Sequence, residues 1–131
     1  MPGQVTGIYA GLTAILLITI AYRVVRLRRR HDVGIGDGSV AELQQAIRAH
    51  GNLVEYAPLA LLLLLIAELT AALPAFALHL AGATIVVGRV LHAYGLARSP
   101  RRSFGRYYGS VLTWLTMIVL AVLLTARGLM H

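Results

Sequence analysis

The sequence predicts an all-α integral membrane protein, built as an antiparallel four-helix transmembrane bundle. Three observations carry this expectation. Of 131 residues, 58% are hydrophobic and 13% are charged, whereas about a quarter of an ordinary soluble domain is charged. The apolar residues fall into four long stretches joined by short connections, and short connections make successive helices antiparallel neighbours. Arginines gather in two of those connections, as they do at the cytoplasmic ends of membrane spans. One membrane domain over residues 1–131 accounts for the chain and leaves no room for a second, soluble one.

The first span is expected over residues 5–25. No basic residue precedes it, and Arg26, Arg28, Arg29 and Arg30 follow it. A cleavable signal carries its charge in front, so this span reads as a retained anchor. The second is expected over residues 53–73, ended by Pro74, with its helix beginning earlier. Ser39 and Glu42 have capping-box spacing, which starts a helix near Val40. A helix over residues 40–73 is about 50 Å long and exceeds a hydrocarbon core of about 30 Å. Its first turns therefore project into the cytoplasm. The third span covers residues 75–96. The fourth, residues 108–126, is 19 residues without a charge, about the length that crosses the hydrocarbon.

Both arginine-rich connections must lie on one side. The positive-inside rule puts them in the cytoplasm and both termini outside. Tyrosines and Trp114 near the span ends suit the interface. All twelve basic residues are arginines and the formal net charge is +7. Because these arginines flank spans, topology explains the charge and nucleic acid is not an expected partner. The absence of cysteine excludes disulfides and thiolate nucleophiles from the protein itself. His31, His50, His79 and His131 have no metal-ligand spacing, so no metal is expected.

Arg48, Asn52 and Glu55 stand at i, i+4 and i+7 and share one stripe of helix two. On helix three Arg89 and His92 are i, i+3, at a comparable depth. Arg26, Arg102 and Ser103 lie at the same cytoplasmic level. Polar groups at the hydrocarbon edge are costly and call for a reason. The plain reason is structural: Glu55 and Arg89 form an ion pair, Asn52 joins helices, and His92 packs. Glu68, near the other end of helix two, bridges helices or reaches for the interface. The chemical reason takes the set together. Arginines clamp carboxylates bidentately, a glutamate accepts from an ammonium, and a further arginine or hydroxyl stabilises a thiolate. Glutathione carries all of these groups.

The run Arg48-x-x-x-Asn52-x-x-Glu55-Tyr56-x-Pro58 resembles the second-helix motif of the leukotriene and prostaglandin E synthases of the MAPEG family, the membrane-associated proteins in eicosanoid and glutathione metabolism. RLRRR, residues 26–30, is similar to the basic end of that family's first helix. Arg89-Val-Leu-His92 resembles the third-helix motif of its prostaglandin branch, and Arg102-Ser103 the pair opening the fourth helix there. The resemblance covers most of the chain. It implies a homotrimer that binds glutathione between subunits near the cytoplasmic face of a bacterial inner membrane. Carried over by position, Arg26, Arg48, Asn52, Glu55, Tyr56 and His92 become glutathione contacts. Arg102 becomes the thiol activator, with Ser103 the alternative, and Arg89 orients Glu55. Two positions depart from the pattern. Leu96 stands where eicosanoid-type members have a tyrosine, and Gly51 where the prostaglandin branch has another arginine. Both argue against an eicosanoid substrate, and Arg101 and Arg106 compete with Arg102 for the activating role.

The expected function is a glutathione-dependent membrane transferase or peroxidase acting on lipophilic electrophiles. The alternative is a non-catalytic protein on the same scaffold that binds lipid or presents a partner. A transporter with Glu55 and Glu68 as a proton path is weaker, because no carboxylate lies between them on helix two.

Overall fold

Four α-helices, each long and apolar enough to cross a membrane, make up the secondary structure of the described residues: α1 (Gln4–His31), α2 (Ala41–Thr70), α3 (Ala75–Arg98) and α4 (Phe104–Leu129). This computed structural model describes residues 2–70, 73–99, 101 and 103–130. Helices α2 and α3 pack together at the centre. Helix α1 packs on both of them, α4 packs on both of them, and α1 and α4 do not meet.

The buried positions repeat every seven residues. On α1 they are Thr6, Thr13, Ile20 and Leu27. On α2 they include Ala46, Leu53, Ala60 and Ala67 with Ala49, Ala57 and Leu64. A seven-residue repeat keeps a seam facing its neighbour along left-handed helix pairs, and alanines let the backbones approach where lipid gives no hydrophobic drive. The apolar core comes in layers. Ala60, Leu64, Leu78, Ile85 and Leu120 fill the half nearer the chain termini. Ile20, Leu53, Ala57 and Leu96 fill the other half. On α3, Arg89 and His92 fall between Ile85 and Leu96, so a polar layer separates the apolar ones.

Two helices run past the expected membrane spans and one expected cap does not form, each for a local reason. Helix α1 runs on through the arginines to His31, because basic side chains suit a helix C-terminus. It stops at Asp32 in the left-handed conformation, φ 52°. Arg28 then holds the connection by donating from Nη1 to the carbonyls of Gly34 and Gly36 at 3.2 and 2.9 Å. The Ser39–Glu42 capping box does not form. Ser39 has φ 61°, outside the extended region an N-cap needs. Its N–H donates to the Asp37 carboxylate at 2.9 Å, and Glu42 lies 3.6 Å from Arg23. Helix α4 begins at Phe104, four residues before the expected span, because Ser103 caps it by accepting from the Arg106 N–H.

At the opposite end Glu68 bridges helices. Gly3, the N-cap of α1, has no side chain to offer, and the first N–H groups of a helix need acceptors. The Glu68 carboxylate takes them, accepting from Val5 N at 3.0 Å, Thr6 N at 2.8 Å and the Thr6 hydroxyl at 2.7 Å. Glu68→Ala is expected to cost about 1 kcal/mol, the usual worth of an N-cap. Amide exchange at Val5 and Thr6 should accelerate, while exchange at Ile20 should not change.

Candidate functional site

The loop end of the bundle carries a polar cleft of about 210 Å³ between α2, α3 and α4. Helix α2 contributes Gln44, Gln45, Arg48 and Asn52, α3 contributes His92 and Leu96, and α4 contributes Arg106 from its first turn. Beside it a groove of about 440 Å³ runs along α4 past Ser103, Tyr107, Ser110, Val111 and Trp114. His92 and Arg106 line both cavities and stand on the partition between them. One cavity is rich in donors. The other grades from Ser103 and Arg106 to Trp114.

The site depends on how closely α3 approaches α4. A Cβ on Gly109 would fall onto the Gly88 carbonyl oxygen, and one on Gly95 would come within 2.7 Å of the Ser103 hydroxyl and the Arg106 N–H. Without side chains at these crossings the two backbones nearly touch, and the first turn of α4 lies against the last turns of α3. That contact brings Arg106 and Ser103 to His92.

Arg89 lies deeper, 2% exposed. Its guanidinium donates to the Thr113 hydroxyl at 3.0 Å, to the Gly109 carbonyl at 3.1 Å and to Oδ1 of Asn52. The Tyr56 ring covers it, with its centroid 5.4 Å from the guanidinium carbon, and Trp114 stands against Tyr56 at 6.1 Å.

The sequence-derived residues are therefore only partly gathered. Arg48, Asn52 and His92 meet in the cleft. Ser103 lines the adjoining groove while capping α4. The expected Glu55–Arg89 ion pair is absent: Glu55 lies 3.7 Å from Arg48, and both side chains are more than half exposed. The reason is on α4, whose Thr113 and Gly109 meet the guanidinium needs that Glu55 was expected to meet. Arg89 thus holds Asn52 rather than orienting Glu55. Tyr56 packs over Arg89 instead of lining the cleft. Arg26 faces another groove, between α1 and α3, together with Arg23 and Tyr94. Arg102 lies outside the described residues.

Sequence reasoning passed over Gln44 and the part played by Thr113 and Gly109. Gln44 had a readable signal, since it stands four residues before Arg48 and extends the same stripe. Thr113 had none. Its hydroxyl donates to the carbonyl four residues back at 3.0 Å, as Thr84 and Thr116 also do. Only its contact with Arg89 sets it apart.

The family model described as the MAPEG family matches residues 6–126. Among curated proteins, the chain is similar to the inner membrane protein YecN of Escherichia coli K12. The two are 39% identical over 119 residues, covering 91% of this chain and 88% of YecN. The YecN protein of Escherichia coli O6:H1 strain CFT073 matches to the same extent.

Proposed function

The chain belongs to the MAPEG family, and from that premise we propose that it is a glutathione-dependent transferase or peroxidase of the bacterial inner membrane, acting on lipophilic electrophiles. The observation that carries this reading is the pair of cavities that share His92 and Arg106. The donor-rich cleft suits the two carboxylates of glutathione, with Arg48 as the clamp at its mouth. The groove leading past Val111 to Trp114 suits an acceptor arriving from the bilayer. The partition is then where sulfur and acceptor meet.

In the transferase reaction the thiol loses its proton to water. The thiolate forms a carbon–sulfur bond, and the leaving group departs with its electron pair. Arg106 is the cation we assign to the thiolate, because it reaches both cavities. Ser103 is the nearby hydroxyl, and Arg102 is a neighbouring candidate. The protein assembles as a homotrimer in this reading. Arg26 and Glu55, which this protomer does not turn into its own cleft, are then the groups available to a neighbouring copy's glutathione. The loops face the cytoplasm, the source of glutathione, and the termini face outward.

Calorimetric titration of the detergent-purified protein with glutathione tests the proposal. Saturable binding is expected, weakened about tenfold or more in Arg48→Ala, the loss expected for one charge-assisted contact. Heat that does not saturate in the intact wild type would refute it.

An apolar groove of about 350 Å³ between α3 and α4, lined by residues such as Leu80, Ala81, Leu115 and Val119, favours a second reading, a non-catalytic lipid-binding protein. That reading requires stabilisation by lipid without turnover of any electrophile.

A further inference from the structure

Arg has five N–H donors and no acceptor. An amide that bonds a guanidinium must therefore turn its oxygen toward it. Asn52 does so, with Oδ1 on Nη1 of Arg89. This settles the amide orientation by chemistry. The Nδ2 group is left on the other side, and Asn52 lines the cleft. No hydrogen bond holds Nδ2 among the described residues, and it is not among their buried unpartnered atoms, so it is open to the cleft.

A second observation gives the orientation a consequence. Charges within a membrane bundle normally pair with an opposite charge. Arg89 is 2% exposed, and among the described residues no carboxylate lies within salt-bridge distance of it. Its partners are a hydroxyl, a carbonyl, the Asn52 oxygen and the Tyr56 face. A cation on the oxygen of an amide polarises it, making the Nδ2 protons stronger donors in a low-dielectric setting. The positive charge buried at Arg89 is thereby expressed in the cleft.

We infer that Arg89 is a positioning residue which locks Asn52 as an obligate donor, and that Asn52 Nδ2 receives the thiolate sulfur of the bound tripeptide. This rests on the glutathione reading and adds to it the group that meets sulfur on the α2 side. Arg48 lies one turn nearer the loop end on the same stripe. A ligand whose carboxylates sit at Arg48 extends its cysteine toward Asn52, the deeper position. The locked amide favours the thiolate, because an anionic sulfur accepts from its N–H far more strongly than a neutral thiol, whose sulfur is a weak acceptor.

The test is Asn52→Asp beside Arg89→Gln, both in the full-length detergent-purified protein. Asp is nearly isosteric and gains an ion pair with Arg89, so the fold is kept while the cleft loses its donor. Gln keeps a donor for Asn52 and removes the charge. Ultraviolet thiolate absorbance of bound glutathione is followed against pH, and affinity for S-methylglutathione is measured in parallel. In Asn52→Asp the midpoint of thiolate formation is expected to rise by about one pH unit or more, a tenfold loss of preference for the anion. Arg89→Gln should move it in the same direction. S-methylglutathione has the same carboxylates but no ionisable sulfur, and its affinity should change much less than that of glutathione. An unchanged midpoint in both variants, or equal losses for both ligands, overturns the inference and leaves the glutathione reading standing. Absence of any thiolate signal in the wild type overturns the glutathione reading itself, and the inference with it.

Discussion

Gly109→Leu is expected to abolish glutathione binding although Gly109 touches no ligand-facing space. The side chain would begin on the Gly88 carbonyl oxygen and within 2.7 Å of the His92 backbone nitrogen. These are backbone atoms of a neighbouring helix and cannot rotate aside, so α3 and α4 must separate. Overpacking of this kind costs about 1–3 kcal/mol or more. The Gly109 carbonyl also accepts from Arg89 and from Thr113 at 3.1 and 3.0 Å. Separation therefore loosens the guanidinium as well, and with it the grip on Asn52. The expected result is a large fall in melting temperature together with loss of calorimetric binding. Gly11→Leu is the control, because a Cβ at Gly11 meets nothing within 4 Å in the described structure. If both variants melt and bind alike, the close crossing does not hold the site together.

Arg106→Ala is expected to slow conjugation far more than it weakens glutathione binding. Arg106 reaches both the cleft and the α4 groove, and its Nη1 donates to the Arg101 carbonyl at 3.1 Å. A cation at the meeting point of sulfur and acceptor acts on the thiolate more than on the distant carboxylates. Removing one preorganised electrostatic contact to a reacting atom costs roughly 100-fold or more in rate. Stopped-flow measurement with chlorodinitrobenzene separates the steps: the chemical rate should drop about 100-fold, against a change of less than about tenfold in glutathione affinity. Arg106→Lys should recover part of the rate, since it restores the charge without the planar fork. Equal losses in rate and affinity would make Arg106 a binding residue and return the activating role to Arg102 or Ser103.

The first of these expectations rests on Gly109, which a reading of the chain does not single out, and the second on Arg106, which it offers only as a competitor of Arg102. Arg48, Asn52 and His92 were legible because spacing along one helix dictates which side chains share a face. The mistaken Glu55–Arg89 pair shows the limit of that logic. Spacing gives a position along each helix, but the choice of partner depended on rotation about the helix axis and on a third helix. The capping box failed for a similar reason. Ser39 and Glu42 have the right spacing, yet Asp37 and Arg23 offered competing partners that spacing alone does not reveal.

By itself the sequence determined that four apolar helices form, and that polar groups line one stripe near the arginine-rich end. Hydrophobic length, helical periodicity and charge placement are local properties, written in consecutive residues. Tertiary structure decided what those groups do. Glycines on α3 and α4 let two backbones meet, and that meeting placed Arg106 beside His92 and supplied Arg89 with acceptors from α4. The guanidinium then turned the Asn52 amide so that its donors face the cleft. Each step depends on a contact between residues distant in the chain, made because a buried donor must find an acceptor wherever the packing provides one.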